Sequence, residues 1–521
     1  VTGGIAAILL FWGLGHPYLW QDEAATAVLA ERMLRFGRPL AYDGKNLVGI
    51  DLLAAEDPES VGKRTTGARE AIDYYVSRGD FRADTAWTYH PWGQFVVAAI
   101  GLEMLGHGTL AARALFALAA LLSVLLLYDL IRRLVRHEGM ATLAAAMLAL
   151  NAYWILHGRQ CRYYPLSSLF LLLALGAYWR WQRGRRLGAA TFVAASWCWF
   201  QIDYGTFWPV CAVLFLDAIL ARPRAGWRTA GVGLALAASV APFVSYYQLW
   251  GRRSFQVGSW AERFRDNFVN LDLYVVSALV LTAAAGLLAW RWRRLPPVER
   301  RLVAICCAIL AALALWVPSV ASASFLRYVV VAAPLGCLVA AWVLVRGTGR
   351  RGTILAWLGA AVLVLTPWAS LPVRIGFPAA ETGPFTLIRP ELPALLDRVF
   401  GHPPDPNRIV IDWLASHAAP DDEILINYED VPLMFYLPNP IRGGIAAFRV
   451  EDHTRSPQFA IMRRSVSVVY PQIFNRELGR YRWIKVPLHA PDVPWGNNPD
   501  PKAIRIDART APDLLIARRA P

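Results

Sequence analysis

Residues 291–301 read RWRRLPPVERR, with an apolar run on either side, 271–290 before and 302–318 after. Each run is about long enough to cross a bilayer as a helix. The stretch is therefore read as a short basic loop between two membrane spans. Working outward, the pattern recurs in RRLVRHE (132–138), RWQRGRR (180–186), RPRAGWR (222–228) and RGTGRR (346–351). The five loops hold 18 arginines against two acids, Glu138 and Glu299. The segment 371–521 is nearly balanced, with 18 Lys and Arg against 17 Asp and Glu. The net charge of +15 thus sits in short loops between apolar runs. That is the positive-inside pattern of a membrane protein, and it does not mark a nucleic-acid partner.

Composition agrees. Of 521 residues, 56% are hydrophobic and only 17% charged, less charge than a soluble chain carries. Placing the basic loops on one side predicts about eleven spans. They lie near 1–20, 110–131, 139–156, 164–180, 187–201, 205–221, 229–249, 271–290, 302–318, 325–345 and 352–371. The expected fold is a polytopic α-helical membrane protein with helices lying on the outer face and a small C-terminal α/β soluble domain. Three parts are expected: a transmembrane catalytic domain over 1–371, a Pro-rich connector over 372–400, and an outer α/β domain over 401–521. The first apolar run is read as a retained span of a trimmed N-terminus rather than a cleaved signal.

The outer loop 21–109 has three pieces. Residues 24–36 put Ala25, Val28, Leu29, Met33 and Phe36 on one helical face, and Gly37 stops the helix, which suits a helix in the membrane interface. Residues 41–87 are charge-dense and belong in water. Residues 90–106 cannot cross without reversing the next basic loop, so a second interfacial helix is expected there. In the tail, NRIVIDWLASHA and VPLMFYL read as helices, and DEILINY, FAIM and DLLIARR as strands. The six cysteines, all in or beside apolar runs, form neither a disulfide framework nor a metal-binding CxxC pattern. No P-loop, GxGxxG or HExxH motif occurs.

Polar residues gather at the outer ends of the spans. Asp22 and Glu23 follow the first span directly in YLWQDEAATA. Asp22 reads either as a helix cap or as a general base, although the capping-box position, residue 25, is Ala. Arg159 and Arg162 in HGRQCRYYPL, and Arg327 beside Tyr328 in SFLRYVVVAAP, read either as snorkelling cations or as a phosphate clamp. His90, Arg113 and Asp203 also lie near this boundary.

The ordered set of motifs resembles the GT-C superfamily of membrane glycosyltransferases, in particular bacterial relatives of the protein O-mannosyltransferases and the aminoarabinose transferase of lipid A. It consists of WQDEAATA, His90-Pro91, Arg159-x-x-Arg162-x-Tyr164, Arg327-Tyr328 with Pro334, NYEDVPLMFYL and PWGNNPDP. Trp92 stands where the family has a second Pro, and the insert 41–87 is longer than in similar chains. The resemblance implies a sugar donor linked to polyprenyl phosphate and an acceptor hydroxyl on a lipid, glycan or protein. Asp22 would be the base in an inverting single displacement, and Glu23 would orient the acceptor or bind a cation. Arg159, Arg162, Arg327 and His90 would hold the donor phosphate, with Tyr164, Tyr328 and Arg113 as further site residues. It implies a bacterial inner-membrane enzyme whose site and tail face the periplasm. No cofactor is specified, and two carboxylates leave a divalent metal open. The alternative is a transporter or lipid flippase, which would place charges in mid-span.

Sidedness is testable. In a chain freed of its native cysteines, Ser60→Cys and Ser456→Cys should react with a membrane-impermeant thiol reagent in intact spheroplasts. Gly184→Cys should react only after lysis. Labelling of position 184 from outside would invert the topology.

Overall fold

The computed structural model describes residues 1–49, 68–221, 226–250, 258–321, 324–349, 352–377, 386–389, 391–401, 404–443, 457–463, 479, 481–493 and 510–520. Ser60, Ser456, PWGNNPDP and residues 50–67 of the charged insert lie outside them. Gly184 is exposed in a basic loop, but at φ +67, where a side chain is strained. Its exposed neighbour Arg185 is the better labelling position.

The chain is mainly helical. Among the described residues, five helices are long and apolar enough to cross a membrane: Thr109–Leu134, Tyr204–Ala221, Gly226–Tyr246, Pro297–Val320 and Val330–Thr348. Three bent pairs raise the number to eight if each is one span: Glu138–Ala149 with Ala152–Gly158, Trp260–Val275 with Ala278–Arg291, and Thr353–Leu365 with Trp368–Gly376. The bends have local causes. Asn151 caps the second half of the first pair, its Oδ1 accepting from Trp154 N at 2.9 Å. Ser277 caps the second half of the next, accepting from Leu279 N. Thr366-Pro367 sits at the third bend, and proline cannot continue a helical ladder. Averaged hydropathy does not register one capping residue, so the eleven expected spans included runs that break.

The other three expected spans fall on Thr2–Phe11, Tyr164–Gln182 and Gly188–Phe200. The first and last have 10 and 13 residues, shorter than the roughly 20 that a perpendicular crossing needs. The middle one is polar at both ends. The expected span 271–290 begins on the π-helical turn Leu271–Val275, which continues the amphipathic helix Trp260–Asn270, itself opened by a Ser259–Glu262 capping box.

At the basic ends, charges are paired rather than merely solvated. Glu299 is 1% exposed; it accepts from Arg346 through both oxygens at 2.6 Å and from Trp342 Nε1 at 2.8 Å. Arg301 holds Asp217 at 2.8 and 2.9 Å through Nε, tying the Pro297–Val320 and Tyr204–Ala221 helices together.

The helix Gln21–Phe36 is more enclosed than an interfacial helix. Ala24, Ala27, Val28, Leu29 and Ala30 are buried, against the helix Gly93–Leu105 and the tail; Leu34, Phe36, Glu31 and Arg35 are exposed. Gly37 ends it in the left-handed conformation, as its sequence implies.

In the tail, the helix Pro406–His417 covers a mixed five-stranded sheet. The strands are β1 (Ile424–Ile426), β2 (Ile441–Gly443), β3 (Phe459–Ile461), β4 (Trp483–Pro491) and β5 (Asp513–Arg519), in the order β2-β1-β3-β5-β4. β1 runs parallel to β2 and β3, and β5 antiparallel to β3 and β4. The helix side chains Val410, Ile411 and Leu414 pack on Ile424, Ile426 and Ile461. The strands not foreseen are the two edges. β4 contains Pro487 and Pro491, which an edge strand tolerates and a strand pattern hides.

Candidate active site

The site is built on the start of the helix Gln21–Phe36. Its N-cap is Trp20, in extended conformation and without a side-chain cap, so Asp22 is the second helical residue and not the cap. Consecutive helical residues point about 100° apart, and here that separates two carboxylates into two environments.

Glu23 turns inward and is fully buried. It accepts from Arg113 Nε at 2.8 Å and Nη2 at 2.6 Å, and from the Cys161 backbone N–H at 2.8 Å. Arg113 also donates to the carbonyls of Leu14 at 3.1 Å and Pro17 at 2.7 Å. Arg159 belongs to the same buried side. Its guanidinium donates to the carbonyls of Leu9, Leu10 and Trp12 at 2.7, 3.1 and 2.8 Å, satisfying the C-terminal end of the helix Thr2–Phe11. The geometry therefore gives Glu23, Arg113 and Arg159 anchoring contacts.

Asp22 turns the other way, with about a quarter of its side chain exposed. Arg327 Nη1 donates to its Oδ2 at 2.7 Å, and Arg162 Nη2 lies 3.7 Å from the same oxygen. Arg162 Nη1 donates to Thr26 Oγ1, which also contacts Gln94 Oε1 at 3.4 Å. Arg327 lies over the Phe325 ring at 4.3 Å and the Tyr328 ring at 5.5 Å. The Tyr164 hydroxyl lies against the Arg162 guanidinium, and Gln94 Nε2 is buried with no hydrogen-bond partner among the described residues. A buried donor left in this way costs about 1–3 kcal/mol. Thr26 and Gln94 were not singled out by the sequence. The one signal was that Thr26 lies one helical turn after Asp22.

Beside this cluster lies a cavity of about 590 Å³ walled by Tyr89, His90, Tyr163, Trp208, Trp316 and Tyr328. His90 stacks on Trp87 with centroids 6.0 Å apart. Asp203, also in the wall, caps the helix Tyr204–Ala221, accepting from Thr206 N, Thr206 Oγ1 and Ser167 Oγ at 3.2, 2.5 and 2.9 Å. Burial pushes its carboxyl above the usual range. The His90 loop is held against this segment because Gly93 N donates to Gln201 O at 2.7 Å. A Cβ on Gly93 would lie 2.5 Å from that oxygen, so the approach requires glycine.

The tail closes over the same helix start. Tyr18 N donates to Asp405 Oδ2 at 2.5 Å, Leu19 N to Tyr436 Oη at 3.0 Å, and Gln21 Nε2 to Asp430 Oδ1 at 2.7 Å. Tyr18 and Tyr436 stack at 4.1 Å. This docking brings Tyr428 and Glu429 close enough to Asp22 for its charge to act on both. In the sequence they were only part of a family-like tail motif.

A metal fits this site poorly. No group of three His, Cys, Asp or Glu residues converges among the described residues. Asp22 faces two cations, and the oxygens of Glu23 are occupied by Arg113 and Cys161 N–H.

No family model matches the chain, and no curated protein does. The fold, however, is similar to that of solved ArnT structures. Two crystal structures of ArnT from Cupriavidus metallidurans are similar over nearly the whole length. The form bound to undecaprenyl phosphate has a TM-score of 0.59 at 15% identity, covering 99% of this chain and 97% of that one. The apo form has 0.58 at 13% identity, covering 99% and 96%.

Removing one partner of a fully buried ion pair costs about 3–5 kcal/mol. Glu23→Ala and Arg113→Ala should each lower the melting temperature of the detergent-solubilised protein sharply, and the double variant by much less than the sum. Single variants that melt with the wild type would rule out the anchoring role.

Proposed function

We propose that the chain is a glycosyltransferase that moves a hexosyl or pentosyl group from a polyprenyl-phosphate donor to an acceptor hydroxyl. The observation that carries this is Asp22 held between Arg327 and Arg162, beside an aromatic-walled cavity, in an ArnT-like fold. One similar ArnT structure is bound to undecaprenyl phosphate, which supports a lipid phosphate at the arginines of this chain. The aromatic cavity suits the first isoprenoid units. Periplasmic placement, in a bacterial inner membrane, is supported by the arginine loops at the other ends of the spans. Such a location lacks nucleotide sugars, so the sugar must arrive on a lipid.

The ion pair suggests how the step is coupled. A donor phosphate competes with Asp22 for Arg327 and Arg162, since guanidinium forks match phosphate oxygens. As the arginines turn to the phosphate, Asp22 is released to accept the proton of the acceptor hydroxyl. The acceptor oxygen then bonds to the anomeric carbon, and the bond from that carbon to the phosphate oxygen breaks. Its electron pair stays on the lipid phosphate, where the arginines stabilise the charge. A single displacement of this kind inverts the anomeric centre. No step is routed through a metal.

The transport reading is disfavoured by where the charges lie. The polar cluster around Asp22 sits at span ends, not at mid-span as a transport pathway requires.

Asp22→Asn should reduce transfer by about 10²–10⁴-fold while keeping or strengthening undecaprenyl-phosphate binding, because the base is lost and its competition for Arg327 ends. Turnover within about threefold of wild type would reduce Asp22 to a structural acid. Arg327→Ala should weaken undecaprenyl-phosphate binding by about 1.5–3 kcal/mol in a titration, with Lys restoring only part. Unchanged binding would return Arg327 to an interfacial cation.

A further inference from the structure

Glu429 is a buried carboxyl that the mechanism above leaves idle. It lies between β1 and the helix Asp430–Tyr436, where the tail docks on the start of the Gln21–Phe36 helix. It is fully buried, at φ +64, a backbone conformation that costs a non-glycine residue about a kilocalorie or more and that concentrates at functional sites.

Its surroundings do not neutralise it by pairing. No described cation lies in an ion pair with it. Arg463 comes from the segment after β3 and lies near enough for its charge to act on Glu429, but it donates Nε to Asp492 and Nη1 to Asn407, both at 2.8 Å, and its buried Nη2 makes no hydrogen bond among the described residues. Asn407 Nδ2 donates to Glu429 Oε2 at 3.1 Å and to the Leu19 carbonyl at 3.3 Å. That contact makes Oε2 the acceptor end of the carboxyl. Oε1 is buried with no partner among the described residues. Burial raises the pKa of the group to about 8 against the opposing charge of Arg463 and the Asn407 hydrogen bond, and the charges of Asp430 and Asp22 push the same way as burial. The last of these couplings places Glu429 near Asp22, and Tyr428 beside it senses both Asp22 and Arg327. Asn407, which bridges it to the Leu19 carbonyl, and its neighbour Asp430, which holds Gln21, fix the Glu429 carboxyl beside the start of the helix that carries Asp22.

A neutral carboxyl recognises neutral hydroxyls, because it both donates and accepts; an anionic phosphate would be drawn to the arginines instead. We infer that Glu429 is a substrate-recognition residue that keeps its proton on Oε1 and donates it in a hydrogen bond to a hydroxyl of the sugar carried by the donor. The inference rests on the reading of the chain as a lipid-phosphate sugar transferase. It assigns the tail a part in choosing the sugar.

The test compares bare undecaprenyl phosphate with undecaprenyl phosphate carrying glucose, mannose or arabinose, each titrated by native mass spectrometry onto the full chain and its variants. Wild type should bind at least one loaded lipid about tenfold more tightly than the bare one, the worth of one well-made buried hydrogen bond. Glu429→Ala should lose that advantage and leave bare-lipid binding unchanged. Glu429→Gln should keep most of it, because its Nε2 supplies the donor and its Oε1 still accepts from Asn407. In wild type the advantage should fade as pH rises through about 8, where Glu429 gives up its proton; in Glu429→Gln it should stay flat across that range. The other groups facing Glu429 are Asp22, Asp405, Asn407, Tyr428, Asp430 and the paired Arg463, and the Gln variant retains them all.

Three outcomes would overturn the inference: no loaded lipid gaining over the bare one in wild type, the Ala variant keeping the advantage, or both variants losing bare-lipid binding together, as a merely structural residue would cause. Failure of the underlying reading looks different. Wild type would then not bind bare undecaprenyl phosphate at all, and Asp22→Asn would not affect transfer.

Discussion

Two adjacent carboxylates at one helix start cannot face the same way, and the site depends on that divergence. Glu23 is buried in a two-pronged pair with Arg113 and also takes the Cys161 backbone N–H. This pair crosses from the helix Gln21–Phe36 to the helix Thr109–Leu134 and to the loop that carries Arg162. A buried pair of this kind adds little net stability but is costly to break, so it acts as a registration device. With Glu23 locked inward, helical geometry leaves Asp22 facing the arginines.

The second consequence is a tension between structure and chemistry. Arg327 and Arg162 hold Asp22 in place, yet a carboxylate engaged by arginines has fewer lone pairs for a substrate proton. The proposed donor phosphate resolves this by taking over the arginines. Binding and activation then become one event, and a base so guarded is idle until donor arrives. The buried Gln94 Nε2, unpartnered among the described residues, is consistent with a site whose polar contacts are completed by ligand.

The tail is more than a cap on this arrangement. Its contacts to Tyr18, Leu19 and Gln21 come from Asp405, Asn407, Asp430 and Tyr436, residues of two helices that pack around one sheet. The sheet thus positions Glu429 relative to Asp22 across a sequence separation of some four hundred residues. A mixed α/β unit suits that task, because its buried polar network of Asn407, Asn427, Arg463 and Asp492 holds the β1 turn rigidly.

What the sequence determined by itself follows from one-dimensional patterns. Arginine-rich loops between apolar runs implied a membrane protein, and Gly37 marked the end of the Gln21–Phe36 helix. Asp22, Arg162 and Arg327 were legible because charges at the ends of apolar spans stand out. The tertiary structure decided the rest, for reasons no window of sequence contains. Asn151, Ser277 and Pro367 break runs that hydropathy averages across. Arg159 and Arg162, three residues apart in one motif, serve different ends because the turn between them faces two elements at once. Glu23 could not be told from Asp22 until Arg113, ninety residues away, was seen to claim it. Glu429 came to lie beside the start of the Gln21–Phe36 helix only through the docking of the tail, and whether a carboxyl is solvated or buried is set by what surrounds it in space.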